Sequence, residues 1–229
     1  MTGTGGDFYE LRGIPEMRGK GIIFDLDGVI VFTDKYHYQA WKKMADEMGI
    51  YFDEEINNRL RGVSRMASLE IILERYEGEP LSQEKKDELA ASKNETYRTL
   101  LATMTPDDVT QEVRDTLDEL KKRGYAVAIG SSSKNAKFIL QNVGLTDAFD
   151  AISDGTNITR SKPDPEVFLC AAQYLGLDPA DCAVVEDAYA GIDAAKDGGM
   201  TGVAIGDAAG YERADIRLET FSDLLKYFD

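Results

Sequence analysis

Histidine occurs once and cysteine twice in 229 residues, too few for a zinc site built from these ligands. Cys170 lies in an apolar helical stretch and Cys182 just before an apolar strand, so buried free thiols are expected rather than a disulfide. Long hydrophobic runs are also missing. No window approaches the ~18 apolar residues of a membrane span. Residues 1–19 lack the apolar core of a signal peptide and read as a mobile leader, so a cytoplasmic protein is expected. Basic charge is scarce as well: 26 Lys and Arg stand against 42 Asp and Glu, a net charge of −16. This balance argues against nucleic-acid or anionic-membrane partners, both of which select a basic face. A phosphate ligand would need the few cations gathered locally. No internal repeat or low-complexity segment is present.

What is present is an ordinary globular balance, 43% hydrophobic and 30% charged, which excludes a disordered chain. A short apolar run, Gly21 to Phe24, ends abruptly in Asp25-Leu26-Asp27-Gly28. Similar runs follow at Tyr125–Ile129, Ala183–Val185 and Thr201–Ile205, with a weaker one at Phe149–Ile152. Bounded runs of this kind fit buried parallel strands. Between them the period becomes helical. Val109, Val113, Leu117 and Leu120 share one face, closed by Lys121-Lys122-Arg123-Gly124. Ala136, Ile139, Leu140 and Val143 form a second, and Val167, Phe168, Ala171, Ala172 and Leu175 a third. A fourth helix starts near Ala188 and stops at Gly198-Gly199. Strands alternating with helices predict an α/β fold with a doubly wound parallel sheet. Residues 34–103 differ: they show helical faces (His37, Trp41, Met44 and Met48; Leu69, Ile72 and Leu73) and no strand run. They are expected to form an inserted small α-helical cap domain on a discontinuous core of residues 20–33 and 104–229, hinged near 31–33 and 103–107.

Ligands of such sheets bind at the carboxyl ends of the strands. There the sequence puts Asp25 and Asp27, then Ser131-Ser132-Ser133-Lys134-Asn135, then Glu186 and Asp187, with Ser161-Lys162-Pro163 before the third core helix. Clustered carboxylates suggest a hard cation, and magnesium takes one or two of them, here Asp25 and Asp187, plus substrate phosphate. An Asp-x-Asp calcium loop is the rival, but a buried strand precedes these acids where an EF-hand has a helix. Ser131 to Asn135 opens a helix and could meet an anion, although Ser133 alone reads as a cap residue. Lys134 and Lys162 supply local positive charge, and Lys162-Pro163 alone could be an extended turn. Asp25 and Asp27, two apart in an extended chain, point the same way, so one can attack while the other moves a proton.

Asp25-Leu26-Asp27-Gly28-Val29, Ser131, Lys162-Pro163 and Glu186-Asp187, in that order, resemble the motifs of the haloacid dehalogenase superfamily of phosphotransferases. Thr33, Tyr36-His37, Trp41, Gly62-Val63-Ser64-Arg65, Lys93-Asn94 and Ser131 to Asn135 resemble its β-phosphoglucomutase family, which interconverts β-glucose 1-phosphate and glucose 6-phosphate through a 1,6-bisphosphate. The resemblance implies Asp25 as nucleophile and Asp27 as general acid/base, with Ser131 and Lys162 neutralising phosphoryl charge. Magnesium would be bound by Asp25, the Asp27 carbonyl, Glu186 and Asp187. Thr33, His37, Trp41, Gly62, Arg65, Lys93, Ser132, Ser133, Lys134 and Asn135 would contact substrate. Arg65, Ser133, Lys134 and Asn135 match a second phosphate site, which a mutase needs because its bisphosphate binds either way round. His37 also shares a face with Trp41 and Met44, so packing alone could explain it, and Arg65 could be a solvated helix-end charge. Small sugar phosphates acting on a monomer are the expected partners, with glucose 1,6-bisphosphate as activator. A sugar-phosphate phosphatase is the alternative, and an idle phosphate-binding domain a third reading. One departure from the family pattern is Val31-Phe32 before Thr33, where a polar or acidic residue is usual.

Overall fold

A computed structural model describes residues 21–60 and 63–229. The expected leader and Gly62 lie outside the described residues. Strand β1 (Gly21–Phe24) is followed by helices α1 (Asp34–Glu47), α2 (Glu54–Asn58), α3 (Arg65–Leu73) and α4 (Gln83–Leu101). Then come α5 (Gln111–Lys122), β2 (Ala126–Gly130), α6 (Ala136–Asn142), β3 (Ala151–Ser153) and α7 (Glu166–Leu175). The chain continues through β4 (Cys182–Glu186), α8 (Tyr189–Asp197), β5 (Thr201–Ala204), β6 (Ile216–Arg217) and α9 (Leu224–Tyr227). All strands pair in parallel, in the order β3-β2-β1-β4-β5-β6.

Alternate residues of the central strands feed opposite faces of the sheet. Ile22, Phe24, Val127, Ile129 and Val185 pack with Val113, Leu117 and Leu120 of α5, Ile139 and Leu140 of α6, and Leu224 of α9. Ile23, Ala128 and Val184 pack on the other side with Phe168 and Ala171 of α7 and Ala194 and Ala195 of α8. Both faces are therefore covered, which is why these strands read as continuous apolar runs. Cys182 is buried and free as expected; Cys170 is also free but only half-buried.

Helices α1 to α4 share a separate cluster, including Trp41, Met44, Ile56, Leu69, Ile72 and Ala90. The first turns of α1 and the last of α4 instead join the sheet's cluster through Tyr36, Ala40, Tyr97 and Leu101. Three helices start where a hydroxyl caps a backbone N–H: Ser64 for α3, Ser82 for α4 and Thr110 for α5. Thr110 as cap leaves Val109 before the helix, so the expected face begins at Val113. Strand β6, two residues long, lacks any apolar run that would have announced it.

Candidate active site

Strands β2, β1 and β4 are neighbours, so the loops leaving their carboxyl ends meet on one rim. Here a doubly wound sheet reverses its strand order and opens a crevice. Asp25 follows β1, and its N–H donates to the Val185 carbonyl of β4 at 2.9 Å. The Lys162 ammonium, 5% exposed, donates to Asp25 Oδ1 and Glu186 Oε1, both at 2.5 Å. It also lies 4.7 Å from the centre of the Phe168 ring. Burial alone would lower the Lys162 pKa; the carboxylates of Asp25 and Glu186 reverse that and hold it well above its ordinary value. Glu186 Oε2 accepts the Ala188 N–H at 2.8 Å.

Asp187 completes the cluster. Asp25, Glu186 and Asp187 each bring an oxygen within 4.8 Å of the others. Burial, then the carboxylates of Glu186, Asp25 and Asp27, push Asp187 up to about 8. Three acids against one ammonium leave this pocket short of positive charge. An all-oxygen donor set of this kind fits a hard divalent cation. Two glycines make the room: a Cβ on Gly28, whose φ is +93°, would fall 2.1 Å from Asp187 Oδ2, and one on Gly191 would fall 1.9 Å from Glu186 Oε1.

Asp27 shares this rim with Asp25, since both carboxylates act on Asp187, but it takes hydrogen-bond partners of its own. Strand pairing ends at Phe24, and a tight turn returns the Ile30 and Val31 N–H groups to the Leu26 carbonyl, both at 3.0 Å. Asp27 then accepts the Thr33 N–H at 2.8 Å and the Thr33 hydroxyl at 2.5 Å. Burial pushes Asp27 up to about 6, against the pull of those two bonds. Tyr97 Oη lies 2.9 Å from the Thr33 hydroxyl.

His37 packs its ring on Tyr97, centroids 4.1 Å apart, and also has polar partners. Trp41 and Met44 enter the helical cluster, whereas His37 stays half-buried with Nε2 3.9 Å from Asp27 Oδ2 and Nδ1 2.9 Å from Lys93 Nζ. A charged Lys93 donates to Nδ1, which puts the ring proton on Nε2, facing Asp27. Burial, then the charges of Lys93 and Arg65, hold His37 well below its ordinary value. Lys93 sits 4.5 Å from the Trp41 ring and 4.6 Å from the Tyr97 ring, and burial, then Arg65, lower it to about 7.

A third group joins α3 and α4 to the loop after β2. Arg65 Nη2 donates to Asn94 Oδ1 at 2.8 Å, and Asn135 Nδ2 donates to the same oxygen at 3.0 Å. The loop itself is folded on its own hydroxyls. Ser131 Oγ accepts the Ser133 N–H and Ser133 Oγ accepts the Asn135 N–H, each at 3.2 Å. Ser133 therefore caps the turn before α6, while Asn135 holds the helix N-cap position. Ser132 Oγ is buried without a partner, and Lys134 is exposed.

A family model described as haloacid dehalogenase-like hydrolase matches residues 20–199. The chain belongs to that family. It is 43% identical over 206 residues to the β-phosphoglucomutase of Bacillus subtilis, covering 90% of this chain and 91% of that one. A crystal structure of β-phosphoglucomutase from Clostridium difficile superposes with a TM-score of 0.84 at 37% identity, covering 91% of this chain and 95% of the other. Within the haloacid dehalogenase-like family, the chain thus groups with the β-phosphoglucomutases. It is also 34% identical over 194 residues to the fructose-1-phosphate phosphatase of Escherichia coli, covering 82% of this chain and 97% of that one. Among the site residues of this haloacid dehalogenase-like chain, Tyr97 and Arg98 escaped the sequence reading. Both lie on the α4 face that begins at Lys93 and Asn94, and continuing that face by three and four residues would have found Tyr97 and Arg98.

Proposed function

We infer that the protein is a β-phosphoglucomutase, moving a phosphoryl group between β-glucose 1-phosphate and glucose 6-phosphate through the 1,6-bisphosphate. Its membership among those enzymes supports the reaction. One feature of the geometry favours a mutase: Arg65 of α3 and Asn135 of the sheet's rim meet on a single oxygen, Asn94 Oδ1. A phosphate oxygen is the natural competitor for that pair of donors, since an arginine fork and an amide N–H both suit it. That gives a second anion site beside the acidic cluster, as a two-ended substrate requires.

Asp25 attacks phosphorus, its oxygen–phosphorus bond forms as the bond to the sugar oxygen breaks, and Asp27 gives that oxygen its proton. In the second half-reaction Asp27 takes the proton of the other sugar hydroxyl as that oxygen attacks the phosphorylated Asp25. Lys162 holds the Asp25 carboxylate in place, and Ser131 donates to the phosphoryl oxygens. The carboxylates of Asp25, Glu186 and Asp187, with the Asp27 carbonyl, would hold magnesium, which supplies positive charge to those oxygens when bound. Thr33, His37 and Lys93 position Asp27. Trp41, Ser132, Ser133 and Lys134, with Gly62 outside the described residues, complete the substrate contacts.

Residues 34–103 act as a cap over a core of residues 20–33 and 104–229, and closure excludes water from the phosphorylated Asp25. Sugar phosphates are charged and do not cross membranes, so the cytoplasm is the expected compartment, with a single copy as the working unit.

The test supplies β-glucose 1-phosphate, magnesium and a trace of glucose 1,6-bisphosphate, then compares glucose 6-phosphate with free phosphate. Dominant glucose 6-phosphate supports the mutase. Dominant free phosphate would favour the phosphatase reading, to which the E. coli relative lends support. Asp25→Asn is expected to abolish either activity, and an unchanged rate would exclude a phosphorylated Asp25.

A further inference from the structure

The bridge between Arg65 and Asn135 has a fourth member. Arg98 Nη1 donates to Asn135 Oδ1 at 3.0 Å, so the order runs Arg98, Asn135, Asn94, Arg65. An arginine only donates, so an arginine at each end fixes which side of the adjoining amide is oxygen. Arg65 claims the oxygen of Asn94, and Arg98 claims the oxygen of Asn135. The Asn135 amide nitrogen is thereby turned toward Asn94 and Arg65. Without Arg98 the amide could rotate by half a turn and present its oxygen there, repelling an anion instead of binding it.

Arg98 is itself well seated. Its guanidinium lies 4.3 Å from the centre of the Phe138 ring. Phe138 belongs to α6, one turn beyond Asn135, so both contacts tie α4 to the start of α6. Asn135 is buried, which makes the choice between its two faces a matter of which partners it finds there.

We propose that Arg98 is a positioning residue for the second phosphate: it locks the Asn135 amide with its donor inward and links the helical insertion to the sheet's rim. This rests on the bisphosphate reading above. Asn94 Oδ1 holds the place of a phosphate oxygen, accepting from the same two donors that the phosphate would engage.

Arg98→Met keeps a stem to cover Phe138 and removes the donors, whereas Arg98→Lys keeps a cationic donor. Each full-length variant is assayed with magnesium on glucose 1,6-bisphosphate, with p-nitrophenyl phosphate as a single-phosphate reference. In R98M, KM for the bisphosphate is expected to rise about tenfold while kcat holds within about twofold, and R98K to recover part of the loss. The ratio of kcat/KM between the two substrates falls accordingly. Equal losses on both substrates would mean a merely structural role and overturn the proposal, as would unchanged constants or an R98K no better than R98M. Should R98M fail to fold, Phe138→Leu removes the ring and leaves every hydrogen-bonding group. It is expected to raise the same KM about threefold, and an unchanged value overturns the proposal. A wild-type enzyme that treats both substrates alike would sink the bisphosphate reading and this proposal together. A wild-type preference for the bisphosphate that survives in R98M sinks this proposal alone.

Discussion

Lys162 holds two buried carboxylates on one ammonium, and neither Asp25 nor Glu186 has water enough around it to stand alone. Removing one member of a buried ionic group exposes the cost of the others, because the desolvation has already been incurred. Lys162→Met is therefore expected to destabilise the metal-free protein by about 3–5 kcal/mol, read from urea midpoints, and to lower kcat at least about a hundredfold. Added magnesium should restore part of the lost stability, since a cation again stands among the carboxylates. A midpoint within about 0.5 kcal/mol of wild type would mean that Lys162 does not neutralise the pocket. Gly28 matters at the same scale: its positive φ and the carboxylate of Asp187 against its Cα leave no space for a side chain.

Helix α4 is the element that gathers the site, since Lys93, Asn94, Tyr97 and Arg98 fall on one of its faces. Its lysine makes stability depend on pH in a definite sense. Lys93, lowered to about 7 in the fold, has an ordinary value near ~10.4 in the unfolded chain. Between those values the unfolded chain binds more protons, so stability rises with pH through that window and is least below about pH 7. His37, also depressed by burial, adds a loss of stability as pH falls below its ordinary value near ~6.5. The groups facing Lys93 are His37, Arg65, Asp27 and the Trp41 and Tyr97 rings; of the charged ones, Arg65 disfavours its charge and Asp27 favours it. Thermal midpoints from pH 6.5 to 9 should therefore climb more steeply in wild type than in Lys93→Met. Parallel curves would show that Lys93 keeps an ordinary pKa.

The central strands were legible because burial on both faces makes them unbroken apolar runs, and their terminal acids were legible because nothing structural needs charge there. The short edge strand β6 was not, for two paired residues leave no pattern. Helix α4 lay within the stretch expected to be helical, but no face was assigned to it. Lys93 and Asn94 stood out as a motif, whereas Tyr97 and Arg98 matter only through where α4 is laid. The hydrogen bonds that Asp27 takes from Thr33 were likewise hidden, because the turn that brings Thr33 back to it looks in sequence like more strand.

Across the whole molecule, apolar burial is divided. Among the described residues, the buried members of the cluster around Trp41, Leu69 and Ile72 lie between Trp41 and Ala90, while the start of α1 and the end of α4 are anchored in the sheet's cluster. A cavity placed in the first should weaken it without loosening the second. Leu69→Ala is expected to cost about 2–5 kcal/mol locally and to speed hydrogen exchange in α2 and α3, leaving the slow amides of β1, β2 and β4 unchanged. Uniform acceleration over the chain would show one cooperative unit instead.

The sheet's margins have a different consequence. Its outermost strands, β3 and β6, span three and two residues. An intruding chain seeking backbone partners at either border finds almost no ladder to extend. Like-charged neighbours, each at −16, are pushed apart before they reach it. The protein should therefore tolerate crowding and high concentration without polymerising edge to edge.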